Sequence, residues 1–272
     1  MRGSFAGLLF GIAFACASIA VCGFLLQRTV FSPESTYDSA HVVLQDESLQ
    51  RELVRIIATS TVLQLSQGDA AQAATITQNI DIVASTTAGA EILAPVLRDA
   101  HSTLIGRADG PVEISGTQLV NIVRDERAAV LPPVEIDVPR VGVLAAIDSV
   151  IEWVVLGAAI GAIVFLILCL FARPDRSALA RTCGAGLIVL SALVLVFGWA
   201  LPTFVPPLLT DSVWARIPST LAMHELARML IATVVLAGVG LGLIALSGRM
   251  SRTRRWSTPV STYRYRDERS WR

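Results

Sequence analysis

The chain has 272 residues, of which 53% are hydrophobic and only 16% charged, with a mean hydropathy of +0.62. That is too apolar for an ordinary water-soluble domain, in which about a quarter of residues are charged. The formal net charge of zero is a cancellation between regions, so the regional charges are the informative quantity.

Residues 5–26 carry no acidic or basic side chain, and as a helix they are long enough to cross the roughly 30 Å apolar core of a bilayer. This apolar run exceeds the roughly 7–15 residues of a signal peptide and no small-x-small cleavage site follows it, so it reads as an uncleaved anchor. Lipid modification is not expected either, because Cys22 follows Val21 rather than a small residue.

Residues 28–147 read as a domain of their own. Ser32 before Pro33, with Glu34 in the first turn, predicts a helix over 33–44. Asp46 can cap a second helix, on which Leu49, Leu53, Ile56, Ile57 and Leu63 draw an apolar stripe. Gly68 and Asp69 interrupt it. Further helices are predicted over 70–86, 91–105 and 117–130, with Gly106, Asp109 and Gly110 forming a turn. Val112 and Ile114, and later Val134, Ile136 and Val138, alternate at period two and predict a small two-stranded ribbon.

Residues 153–172, 182–201 and 229–248 are again free of charge and predict three more spans, with a short connection at 202–228. The expected fold class is therefore a mainly α membrane protein, with four transmembrane helices and a mostly helical extracytoplasmic domain bearing a small β ribbon. The expected segments are 1–27, 28–147, 148–248 and the tail 249–272.

Charge assigns the expected topology. Between residues 27 and 147 fifteen acids face eight arginines, a net of −7, whereas the tail has eight arginines against Asp267 and Glu268, a net of +6. The link between the second and third spans has Arg173, Arg176 and Arg181 against Asp175. The positive-inside tendency places the link, the tail and the N-terminus, with Arg2, in the cytoplasm, and the acidic domain outside a plasma membrane. All 22 basic residues are arginine, a composition that points to a high-GC genome.

Several residues invite a chemical reading. His224-Glu225-Leu226-Ala227-Arg228 begins like a zinc-protease motif, but arginine occupies the second ligand position, so a Glu225–Arg228 pair is expected instead. Asp148 and Glu152 share a helical face beside Trp153 near the outer interface, where Arg216 or Arg228 is expected to pair with them. His41 and His101 are expected to be structural. Cys16, Cys22, Cys169 and Cys183 all lie in or at the ends of the spans, so the domain has no disulfide framework. Small residues four apart at Gly3, Gly7, Gly11 and Ala15, at Gly157 and Gly161, and at Gly238 and Gly242 offer faces for close helix packing, within the chain, in a homo-oligomer or with a partner membrane protein. In the tail, Arg249, Arg252, Arg254, Arg255 and Trp256, then Tyr263-Arg264-Tyr265-Arg266, interleave arginine with aromatics just past a span, which suits anionic lipid rather than nucleic acid. No catalytic residue, cofactor or metal site is expected.

Arg28-Thr29-Val30-Phe31-Ser32-Pro33-Glu34, the helix capped by Asp46, the strand running into Pro139 and the last three spans together resemble a group of uncharacterised actinobacterial integral membrane proteins. The resemblance implies an architecture and an envelope location and supplies no activity. The expected function is that of a non-enzymatic envelope protein whose outward domain binds or senses a partner or envelope component. The alternatives are an accessory or permease subunit of a transport assembly, and a membrane enzyme built on Asp148, Glu152, His224 and Glu225.

Overall fold

The computed structural model describes residues 2–172 and 176–256, with the side chains of residues 7–171 and 178–248. Helix α1 (Arg2–Thr29) leads directly into the domain. There the Ser32 hydroxyl accepts the Ser35 N–H and Pro33 opens α2 (Pro33–Asp38), as the capping pattern requires. The helix expected over 33–44 is in two pieces, because the Ser39 N–H turns back to the Ser35 and Tyr37 carbonyls before α3 (Ala40–Val43) begins.

Asp46 caps α4 (Glu47–Ser66), accepting the N–H groups of Ser48 at 2.9 Å and Leu49 at 3.2 Å. The buried stripe of α4 runs strictly four apart through Leu49, Leu53, Ile57, Thr61 and Leu65, and Leu63 is on the other side at 79% exposure. Gln67 and Gly68 take left-handed backbone conformations to end the helix. Two helices, α5 (Ala70–Ser85) and α6 (Thr87–Leu104), then meet at an 87° bend around Thr86. Together they have the length and composition of a broken membrane span. Yet α6 is wrapped on its apolar side by the domain, with Leu93, Leu97, Ala100 and Leu104 all at 1% exposure or less, so it is the central core helix.

Strand β1 (Val112–Ile114) pairs antiparallel with β2 (Val134–Ile136), burying Val112, Ile114, Val134 and Ile136. Between them lies α7 (Gly116–Val123), opened by a Ser115–Gln118 capping box. The helix expected over 117–130 stops at Arg124, whose φ of 60° breaks it, and Glu126–Val130 form a separate 3₁₀ turn. On the exposed side of the ribbon Glu113 faces Glu135 directly. Like charges opposite each other weaken a ribbon. Glu135→Thr is therefore expected to stabilise the chain by roughly 0.2–1 kcal/mol in thermal unfolding, and to lose that gain at high salt.

The remaining helices are α8 (Gly142–Ala172), α9 (Arg176–Leu195), α10 (Leu201–Leu209), α11 (Arg216–His224) and α12 (Leu226–Trp256). The third apolar stretch does not end at Leu201. A π-helical turn at Val196–Ala200 precedes Pro202 and carries α9 into α10, so the apolar segment runs on to Leu209. The wider turn accommodates a proline that can neither donate an N–H nor fit a regular turn.

Gly7–Thr29, Gly142–Phe171, Ala178–Leu209 and Leu226–Gly248 are each long and apolar enough to span a bilayer, making this a multi-pass membrane protein. They pack in the order α8, α1, α9, α12: α1 lies along α8 on one side and against α9 on the other, and α9 lies along α12. The arrangement is an open row. Accordingly 22% and 28% of the two inner spans' most apolar stretches are buried, against 6% and 11% for the outer α8 and α12.

The small-residue faces expected from spacing mostly do not make these contacts. Gly7, Gly11, Gly157, Gly238 and Gly242 have nothing within 4 Å of an added Cβ, whereas Gly161 packs, with Cys16 Sγ 3.4 Å from such a Cβ. Gly3 is outside the residues with described side chains. The close approaches occur elsewhere: a Cβ on Gly23 would lie 2.5 Å from Val155, and Cβ atoms on Gly184 and Gly240 would lie 2.6 and 2.7 Å from each other's carbonyl oxygens. Gly240 is two residues from both Gly238 and Gly242, roughly 200° around the helix, so α9 takes the opposite face from the one the four-residue spacing marks.

The domain core reaches past residue 147. Leu144 and Ile151 at the start of α8 join it, as do Trp214, Ile217 and Leu221 from the connection between the third and fourth spans, all 7% exposed or less. The shorter connection is thus a structural part of the domain.

Candidate functional site

The polar chemistry concentrates where the domain meets the spans. His101, on the last turns of α6, is fully buried. Its Nε2 lies 2.8 Å from the Val30 carbonyl oxygen and its Nδ1 2.5 Å from Thr36 Oγ1. A carbonyl only accepts, so Nε2 carries the proton and Nδ1 accepts the Thr36 hydroxyl. The ring therefore ties α6 to the residue leaving the first span and to α2. Burial pushes its pKa down to about 4 and the Arg107 charge adds to this, while the Val30 carbonyl and Asp148 oppose it.

One turn further on, Arg107 grips Asp148 with two hydrogen bonds of 2.8 Å. Glu152, exposed on the next turn of α8, also acts electrostatically on this guanidinium. The Asp148 side chain is only 12% exposed, and the forked geometry is that of a strong charge-assisted pair. Asp148→Ala is expected to lower stability in detergent by about 1–2 kcal/mol. The partner is Arg107, not Arg216 or Arg228.

Arg216 instead faces Asp46, with Nη1 3.8 Å from Oδ2. Partial burial raises the pKa of Asp46, but its hydrogen bonds from Ser48 and from the Leu49 and Ser48 N–H groups, with the Arg216 charge, outweigh this and leave it below the ordinary value. Beside this pair lies a cavity of about 430 Å³ bordered by Val42, Asp46, Thr203, Ser219, Met223 and His224. His224 meets His41 edge to face, with ring centroids 6.5 Å apart. The zinc-protease-like sequence is pulled apart by a helix break: His224 ends α11, Glu225 lies between helices, and Glu225 receives a 2.6 Å hydrogen bond from Arg228, as its spacing predicts.

Asp148, Glu152, Arg216, His224, Glu225 and Arg228 thus do not form one cluster. Asp148 is tied to the Arg107 turn, Arg216 to the cap of α4, His224 to α3, and Glu225 to Arg228. Among the described residues no three His, Cys, Asp or Glu side chains converge to hold a metal ion. Arg107, Asp46 and His41, the partners that matter, lie between 41 and 183 positions from theirs in the chain, and no local pattern marks them.

A second cavity, of about 580 Å³, opens on the domain between the turn after α6 and the outgoing end of the ribbon. Asp109, Glu135, Asp137 and Arg140 border it, and Arg140 donates to Asp109 at 2.8 Å. At the far end of the spans, α12 continues through Arg249, Arg252, Arg254, Arg255 and Trp256. Their side chains, and Tyr263-Arg264-Tyr265-Arg266, lie outside the described residues. No family model, curated protein or solved structure matches this chain.

Proposed function

We propose that this is a non-enzymatic plasma-membrane protein with both termini in the cytoplasm, whose helical domain lies outside the cell and binds or senses a partner or envelope component. The observation that carries this reading is the continuity of the domain core with the span ends. Val30 leaving α1, Leu144 and Ile151 on α8, and Trp214 and Ile217 beyond α10 all belong to that core. A ligand that shifts the domain therefore acts on three spans at once, which suits a sensor or an adaptor better than a tethered module. The acidic domain and the arginine-rich link and tail support the orientation, and the tail suits contact with anionic lipid.

Orientation is tested by placing a cysteine at Val130, which is 87% exposed, and labelling intact cells with an impermeant maleimide. Labelling without permeabilisation supports the reading; labelling only after lysis overturns it. Photocrosslinking from the same position in native membranes then tests the partner: a discrete adduct that disappears when the domain is unfolded by substitution supports binding.

A second reading, an accessory or permease subunit, is favoured by the open row. The outer spans α8 and α12 are barely covered within the chain, and Gly157, Gly238 and Gly242 are open to a neighbouring helix. Co-purification of a cytoplasmic ATPase from native membranes would select it.

A further inference from the structure

Because α1 sits between α8 and α9, a crevice remains on one face of the row, with α1 as its floor. Phe10 and Phe14 of α1, Ile163 and Leu166 of α8, and Leu187 and Leu190 of α9 line it, enclosing about 290 Å³. Apart from the Cys183 thiol its lining side chains are hydrocarbon, so water has no partners there. We infer that this crevice holds one acyl chain of an anionic phospholipid.

Three features select that occupant. The first is length: along α1 the lining runs only from Phe10 to Ala17, about 10 Å at 1.5 Å per residue. A crossing helix needs a groove along the whole span and is itself about 10 Å wide. The lining does not extend past Ala17 on α1, so a chain tip fits and a helix does not. The second is depth. Leu166 is six residues, about 9 Å, from the end of α8 at Ala172, which leaves the headgroup at the interface on the side remote from the domain. The third is charge. The same three helices have their arginine-bearing ends on that side, with Arg2 opening α1, Arg173 following α8 in the sequence, Arg176 opening α9 and Arg181 in its second turn. Arg181 is exposed and stands two residues before Cys183, which lines the crevice. Cationic ends beneath an apolar slot favour a headgroup of net negative charge.

The test is native mass spectrometry of the delipidated full chain in mild detergent, with phosphatidylglycerol or phosphatidylcholine of identical chains added back. The wild type is expected to retain one phosphatidylglycerol, severalfold more than phosphatidylcholine. Ala17→Phe fills the floor and is expected to lower retention of both lipids severalfold, and Ile163→Phe, at a rim position that is 60% exposed and tolerant of change, is expected to do the same should Ala17→Phe fail to fold. Arg181→Gln is expected to reduce the preference for phosphatidylglycerol while leaving phosphatidylcholine retention unchanged. Undiminished binding in folded Ala17→Phe and Ile163→Phe proteins would overturn the site, and equal retention of the two lipids by the wild type would overturn its charge selectivity. Loss of the adduct on removing residues 249–272 would assign the lipid to the tail, and a lipid-free dimer dissociated by Ala17→Phe would assign the crevice to a second copy of the chain; either result overturns the inference.

Discussion

His101→Gln is expected to flatten the acid limb of the stability curve, and His101→Ala to remove about 3 kcal/mol of stability at pH 7, because a buried carbonyl and a buried hydroxyl each lose their partner and a void is left. The pH effect follows from burial. The folded chain holds His101 neutral, with a pKa of about 4 against 6.5 for the free side chain. Above 6.5 both states are neutral and the histidine contributes no slope. Below it the unfolded chain takes up a proton that the folded chain refuses, so stability falls as pH drops from 6.5 and levels off only near 4. At pH 5 the loss is about 2 kcal/mol, at 1.36 kcal/mol per pH unit. Thermal unfolding in detergent at pH 7 and pH 5 checks it. The wild type is expected to lose markedly more than His101→Gln over that interval, and parallel losses would show that the burial of His101 is not what couples folding to protons.

The second large effect belongs to the 87° bend between α5 and α6. Gly89 lies in the first turn of α6, its N–H donated to the capping Thr86 hydroxyl at 3.2 Å. A Cβ there would stand 1.7 Å from the Val83 carbonyl oxygen and 2.5 Å from its carbon. Both are backbone atoms, so no rotamer change relieves the clash. Replacing glycine by alanine inside a helix ordinarily stabilises it by up to about 1 kcal/mol. Here the sign reverses: Gly89→Ala is expected to cost about 3 kcal/mol or more, as α5 is pushed away from the core helix. Gly238→Ala, where an added Cβ meets nothing within 4 Å, supplies the control and is expected to be neutral or mildly stabilising.

The local part of this fold is legible in the sequence. Asp46 and Ser32 announce their helices because a short polar side chain just before an apolar stripe can satisfy the first free N–H groups. The ribbon is legible because Val112, Ile114, Val134 and Ile136 repeat every second residue. Spans are read from hydropathy alone, since lipid tolerates neither charge nor an unpaired backbone. What the sequence hides is nonlocal. Arg107 pairs with Asp148 only because α6 ends beside the start of α8, and nothing within a window of residues records that. Spacing marks Gly238 and Gly242 as a packing face, yet the neighbouring helix takes Gly240, whose neighbours four residues away are Leu236 and Ile244, so no small-residue repeat marks it. For the same reason the six candidate polar residues are read only by their chemistry: the sequence does not record that Asp148 meets Arg107, Arg216 meets Asp46 and His224 meets His41.

Trp214 has a further consequence, for biogenesis. It is 4% exposed in the domain core, packed by its turn against α4 and α6, yet with Ile217 and Leu221 it is synthesised after the rest of that core, beyond the third span. A nascent chain with residues 28–147 on one side of the membrane still lacks these side chains, and acquires them only when the connection between the third and fourth spans is delivered to the same side. The domain is therefore completed last although it is made early. Its maturation reports on whether the first three spans have been threaded correctly, and a fragment cut at residue 147 would leave the bed of that indole bare.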